Sequence, residues 1–417
     1  MTTRPAKSVT VAAGRRRVLA RLLLLGPAFV AAIAYVDPGN VAANLTAGAR
    51  HGYLLVWVLV LANAVAVLVQ YQSAKLGLAT GMSLPEIMGR RLRTPARRAY
   101  WLQAEVVAGA TDMAEVIGGA VALNLLFGLP LLAGGAIVGV ASMLLLAVQS
   151  RRGQRAFENA VVALLAVIAV GFMAGLFVNP PDAGGALSGL LPRFEDSGTV
   201  LLAASMLGAT VMPHAIYLHS ALARDRHGFE PDPDRRIRLI RATRLDVVGA
   251  LMVAGAVNIA MLLLAASSLR GTEGTDTISG AHAAITAALG PAVGVVFAIG
   301  LLASGLASTS VGCYAGATIM GGLLRVQIPL LTRRVLTMVP ALLVLGAGIE
   351  PTWALVLSQL LLSFGIPFAL IPLIRLTGSR EVMGVHADSL PLRVAARASA
   401  CLIVGLNVLL IVLTVWS

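Results

Sequence analysis

The chain has 417 residues, of which 58% are hydrophobic and 12% charged, with a formal net charge of +13 and a mean hydropathy of +0.87. That composition lies far outside the range of water-soluble domains and marks an all-α polytopic membrane protein. The two cysteines, Cys313 and Cys401, both fall in apolar stretches and imply no disulfide framework.

Apolar runs predict eleven helices, near 20–48, 54–79, 101–127, 131–149, 157–178, 199–222, 244–268, 282–312, 334–348, 353–375 and 394–416. Arg15, Arg16 and Arg17 run into Val18 as in a signal peptide, yet the hydrophobicity continues past Asn40 without a small-residue cleavage site. The segment therefore reads as a retained first helix. With a cytoplasmic N-terminus, the 32 Lys and Arg all fall on the inner side except Arg50, Arg193 and Arg270, and the C-terminus lies outside. The basic charge thus encodes topology and excludes a nucleic-acid surface. Polar segments are short, so residues 1–417 read as one membrane domain. The longest inner loop, Asp225 to Arg241, offers a basic surface to anionic lipid headgroups. The outer loop, Asn179 to Ser197, holds Asp182, Glu195 and Asp196, read as a solvated loop with a weak pull on cations.

The first helix is interrupted at Asp37, Pro38, Gly39 and Asn40. Proline cannot continue a helix and a carboxylate is costly in hydrocarbon, so the chain unwinds there and faces protein or water. Freed carbonyls then join the Asp37 carboxylate and the Asn40 amide at membrane depth, which suits a cation. The sixth helix is interrupted in the same way at Met212, Pro213 and His214, five spans later. An odd number of spans per unit inverts the second unit relative to the first. The expected architecture is a five-plus-five inverted repeat with discontinuous helices one and six, about 20–178 and 199–375, and an extra helix at about 394–416.

Asp112 and Glu115, three apart on helix three, share a face, and Arg333 and Arg334 at the start of helix nine are candidate partners. These acids either hold helices three and nine together or relay protons. His214 reads equally as a satisfied core histidine or a proton carrier, and His219, five residues on, shares no metal-binding face with it. A methionine in an apolar helix is ordinarily packing, but Met212 stands at a break. Carboxylate and amide oxygens with a thioether form a donor set that favours Mn²⁺ and Fe²⁺ over Mg²⁺ and Ca²⁺. No P-loop, nucleotide-binding glycine pattern or His-Glu-x-x-His stretch occurs, so transport would draw on an ion gradient rather than on catalysis, and no cofactor is implied.

At these residues the chain resembles the Nramp family of proton-coupled divalent metal transporters, bacterial type. The resemblance rests on Asp37-Pro38-Gly39-Asn40, on Ala110 to Glu115, on Met212-Pro213-His214 with Tyr217 to Ser220, on Asn258, and on Ser358-Gln359 with Pro367-Phe368-Ala369. It implies a LeuT-type fold in a bacterial inner membrane. It further implies metal ligation by Asp37, Asn40, Met212 and the Ala209 carbonyl, with Gln359 nearby. Proton movement and gating are implied for Asp37, Asp112, Glu115, His214, His219, Arg333 and Arg334. Leu306, Ala317, Gly365 and Ala215 stand where the family commonly shows amides. The expected function is import of Mn²⁺, Fe²⁺ or similar ions such as Cd²⁺ with protons by alternating access, with metal ions, protons and the bilayer as partners and no obligatory protein partner. Two alternatives remain at this point. A sodium-coupled amino-acid carrier on the same fold would set Asp37 against the substrate carboxylate, and a membrane receptor would want a soluble output module.

Overall fold

The computed structural model describes residues 26–416 apart from residue 276, so the predicted start of the first helix and the basic residues before it lie outside the described part. Helix α1 (Pro27–Ile33) passes through a 3-10 turn (Ala34–Val36) to α2 (Pro38–His51). Then follow α3 (Val56–Thr80), the short α4 (Leu84–Arg91), α5 (Thr94–Phe127), α6 (Leu131–Arg152) and α7 (Gln154–Val178). After the small α8 (Ala183–Ser188) come α9 (Ser197–Thr210), α10 (Pro213–His227) and α11 (Pro233–Ser268). The chain continues with α12 (Ile278–Leu289), α13 (Pro291–Leu324), α14 (Leu330–Gly346), α15 (Pro351–Thr377), the four-residue α16 (Arg380–Met383) and α17 (Leu390–Trp416). Among the described residues, nine helical stretches are long and apolar enough to cross a bilayer, with α9 and α10 counted as one.

Proline in the first turn sets many of these starts, because its missing N–H is an orphan there in any case. The helix expected over 282–312 is instead two helices. Gly290 adopts φ 95 and Pro291 opens α13, which runs on to Leu324. The inner loop expected over Asp225 to Arg241 is shorter than its composition suggests, since α10 reaches His227 and α11 begins at Pro233 with Asp232 as its cap. In the outer loop, Asp182 and Asp196 are helix caps, accepting from the backbone N–H of Gly185 and Thr199.

Helices α5 and α13 lie side by side at the centre. A Cβ on Gly305 of α13 would stand 2.9 Å from the Glu115 carbonyl and the Gly119 nitrogen of α5, so the glycine permits the approach. The last helix is tied to the rest by buried polar contacts. Asp388, just before α17, takes the Lys75 ammonium of α3 and accepts from Gln72 Nε2 at 2.6 Å. Asn407 of α17 donates to the Ser363 carbonyl of α15 at 2.7 Å.

Candidate metal centre

Asp37 stands alone in extended backbone (φ −70, ψ 167) between the 3-10 turn and α2, as the residue before a proline prefers. Met212 repeats that geometry (φ −71, ψ 119) before Pro213. Unwinding frees the carbonyls of the preceding turn, and in hydrocarbon each needs a donor. Ser308 donates to the Ile33 carbonyl at 3.3 Å, Asn258 to Tyr35 at 2.7 Å and Ser304 to Val36 at 2.6 Å. Asn258 also accepts from Asn44 Nδ2 at 3.0 Å, so one side chain of α11 holds both halves of the first helix. Below the break, Asp246 accepts from the backbone N–H of Gly26 and Ala28, capping α1.

Asp37 Oδ1 accepts from the Asn40 backbone N–H at 2.8 Å and from its Nδ2 at 2.7 Å. The same Nδ2 donates to the Ala209 carbonyl at 2.9 Å, which joins the first break to the second. Asn40 Oδ1 accepts from Thr210 at 3.4 Å. Gln359 lies over Gly39 so closely that a Cβ there would overlap its amide. Met212, three residues beyond Ala209, is fully buried within the same apolar core as Val36 and Val41. Asp37, Asn40, Ala209 and Gln359 thus meet at one place, closed to solvent on every side.

Several buried polar atoms here lack a hydrogen-bond partner among the described residues: Asp37 Oδ2, both amide atoms of Gln359, both ring nitrogens of His214 and both carboxylate oxygens of Glu115. Buried groups are ordinarily satisfied, so this concentration of unpartnered polar atoms sets the region apart from the rest of the core. Among the described residues no cluster of three or more His, Cys, Asp or Glu could hold a metal ion. The oxygens gathered here are those of one carboxylate, one backbone carbonyl and the neutral side-chain amides of Asn40 and Gln359, with the Asn40 N–H groups turned toward the first two.

The acids of α5 divide differently from expectation. Arg334 grips Asp112 with Nη1, at 2.5 and 2.6 Å from the two oxygens, while its Nε donates to Ser142 at 2.6 Å and Thr309 donates to Asp112. Arg333 pairs with Glu105 at 2.6 Å and not with Glu115. Glu115, one turn from Asp112, packs against Gly312, where a Cβ would stand 3.0 Å from its Oε2. His219 Nδ1 donates to Gln70 Oε1 at 2.8 Å, and Gln70 Nε2 donates to the Tyr35 hydroxyl at 2.6 Å. Ser304, Ser308, Thr309 and Ser142 escaped the sequence reading. For the first three the one signal there is the run of small polar residues from Ser304 to Ser310 within an apolar helix, and Ser142 carries none.

A family model described as Natural resistance-associated macrophage protein-like, Nramp, matches residues 28–413. The chain belongs to the Nramp family. It is 60% identical over 393 residues to the Divalent metal cation transporter MntH of Mycobacterium tuberculosis, covering 94% of this chain and 92% of that one. It is 44% identical over 397 residues to the MntH of Deinococcus radiodurans, covering 95% and 91%. The manganese transporter of Eremococcus coleocola superposes with TM-score 0.85 at 27% identity, over 98% of this chain and 88% of that one. MhsT, solved with L-phenylalanine, superposes with TM-score 0.63 at 16% identity over 91% and 98%, which shows the shared LeuT-like fold. In this Nramp chain, Gly365 has no room for a longer side chain. Its Cβ would stand 2.7 Å from Val107 and 3.2 Å from the Pro213 ring, so the glycine brings α15 against α5 and α10.

Proposed function

We propose that this chain carries Mn²⁺, with Fe²⁺ and similar ions such as Cd²⁺ accepted, through a bacterial inner membrane together with protons, by alternating access. Membership of the family and the MntH name of its relatives support the metal. The single observation that carries the site is the Asn40 amide bridging Asp37 and the Ala209 carbonyl, which draws oxygens from two helix breaks to one point. The ligands are Asp37, Asn40, the Ala209 carbonyl and Met212, with Gln359 beside them. For a cation to enter, the Asn40 side chain turns its oxygen inward in place of its N–H groups, and Asp37 Oδ2 meets the ion directly. The thioether supplies the soft donor that Mg²⁺ and Ca²⁺ do not reward.

Glu115 and His214, buried with no hydrogen-bond partner among the described residues, are the groups that exchange protons, and Asp112 with Arg333 and Arg334 gates their path. His219 belongs to the gate through Gln70 and Tyr35. Matching conformations at Asp37 and Met212 support inverted five-helix repeats, at about 20–178 and 199–375, within one membrane domain. Eleven spans follow when the first helix with its break and the arginine-bearing α14 each count as one, with α17 the extra helix. The arginine distribution puts the N-terminus inside and the C-terminus outside. Proteoliposomes reporting Mn²⁺ entry and lumenal pH test the reading. Coupled metal and proton entry with the parent chain supports it, and metal entry without proton movement, or no entry, overturns it.

A further inference from the structure

A groove of about 470 Å³ opens at the arginine-rich end of the bundle between α3, α11 and the start of α17. One wall is apolar, made of Val67, Leu68, Val248 and Leu392, and the other end holds Arg244 and Tyr71. From Val247 to Ala266, α11 carries no charged residue, and these roughly 20 residues at about 1.5 Å each match the hydrocarbon thickness. Val248 therefore lies just within the hydrocarbon and Arg244 one turn outside it, at headgroup depth. Arg241, a further turn away on the same face, extends the positive stripe.

Among the described residues, Arg241 and Arg244 stand at this end without an acidic partner in any ion pair. Lys75, with its ammonium 5.6 Å from the Tyr71 ring centroid, is already committed to Asp388. Asp246, two residues from Arg244, faces the other way and caps α1. An apolar slot ending in free guanidinium groups at the membrane interface matches a molecule with an acyl chain and a phosphate. We propose that this groove binds an anionic phospholipid, its phosphate on Arg244 and an acyl chain along Val248 and Leu68, linking α17 to α3 and α11.

The test is native mass spectrometry of the delipidated full chain offered phosphatidylglycerol and phosphatidylcholine with identical acyl chains. Its readout is lipid retention, so it succeeds or fails independently of the transport reading. The parent retains one phosphatidylglycerol in preference to phosphatidylcholine. Arg244→Gln lowers that retention about fivefold, as expected for one basic side chain at a membrane surface, and Arg244→Lys restores most of it. Ala64→Trp fills the groove and lowers retention of the bound lipid, and Arg151→Gln, an exposed arginine elsewhere, leaves it unchanged. Equal retention of the two lipids by the parent, or of phosphatidylglycerol by parent and Arg244→Gln, overturns the proposal. Should Arg244→Gln not yield folded protein, undiminished retention by Ala64→Trp overturns it instead.

Discussion

The side-chain amide of Asn40 donates to the backbone carbonyl of Ala209 at 2.9 Å, across 169 positions of sequence. That contact joins two helix breaks, and among the described residues in this hydrogen-bonded junction Asp37 is the one with a charged side chain. Asp37→Asn is expected to abolish Mn²⁺ uptake while leaving expression and membrane insertion intact, because the amide keeps the shape and removes the charge. Uptake by that variant at the parent rate would remove Asp37 from the site.

Met212 separates packing from ligation. A packing methionine replaced by alanine costs roughly 2–5 kcal/mol of stability and slows every ion alike. A ligand loses its soft donor while the oxygens stay, so Met212→Ala is expected to lower Mn²⁺ entry modestly, to lose Cd²⁺ affinity most, and to become inhibited by excess Ca²⁺ or Mg²⁺. Competition in proteoliposomes decides, and equal resistance of parent and variant assigns the thioether to packing.

The breaks were legible in the sequence because a carboxylate with a Pro-Gly pair in the first, and a proline beside a histidine in the second, interrupt otherwise apolar helices. The partners of the freed carbonyls were not. Ser304 and Ser308 are ordinary small residues of a membrane helix until the packing of α13 against α1 aims them at Val36 and Ile33. Spacing put Asp112 and Glu115 on one face, yet the register between α5 and α14 decides which acid each arginine reaches, and that register is tertiary. Glu105, two turns earlier than Asp112, is the one that meets Arg333.

The Asp112 clamp gives a graded expectation. Asp112→Asn leaves Arg334 as a buried cation with a weakened partner, a loss of about 3–5 kcal/mol when such a pair is broken outright. Proton flux and its pH dependence are expected to fall further than metal binding, because Asp112 makes no contact with Asp37 or Asn40 among the described hydrogen bonds. The double variant Asp112→Asn with Arg334→Gln should regain thermal stability over the single one. Equal losses of metal affinity and proton flux in Asp112→Asn would make the pair a scaffold.

Asn258 is expected to act on the frame of the site. Asn258→Ala removes the donor to the Tyr35 carbonyl and the acceptor for Asn44, at about 1–3 kcal/mol for each buried group left unmatched. A lowered melting temperature with reduced metal affinity is the expected pair of results. An unchanged melting temperature would show that the first helix holds its shape without this bridge.

Outside the membrane, Glu86 links the short α4 to α10. Burial raises its pKa, but the Ser83 N–H and the Arg224 charge outweigh burial and hold it below the usual 4.5. A group depressed in the folded state stabilises above its unfolded pKa and loses that contribution as pH falls through its folded value. The melting temperature of the parent is thus expected to drop below about pH 4.5 more steeply than that of Glu86→Gln. Parallel curves would remove Glu86 from the acid response.

The contacts of α17 bear on how short this transporter can be made. Lys75 lies within the long apolar helix α3, and its counter-charge comes from Asp388, 313 positions later and just before α17. A chain ended after Thr377 would strand an ammonium and the Gln72 amide inside the bundle, and would take Asn407 away from Ser363. Without α17 the chain would not fold as a lesser version of itself: Asp388, which leads into that helix, is the anion that Lys75 of α3 requires.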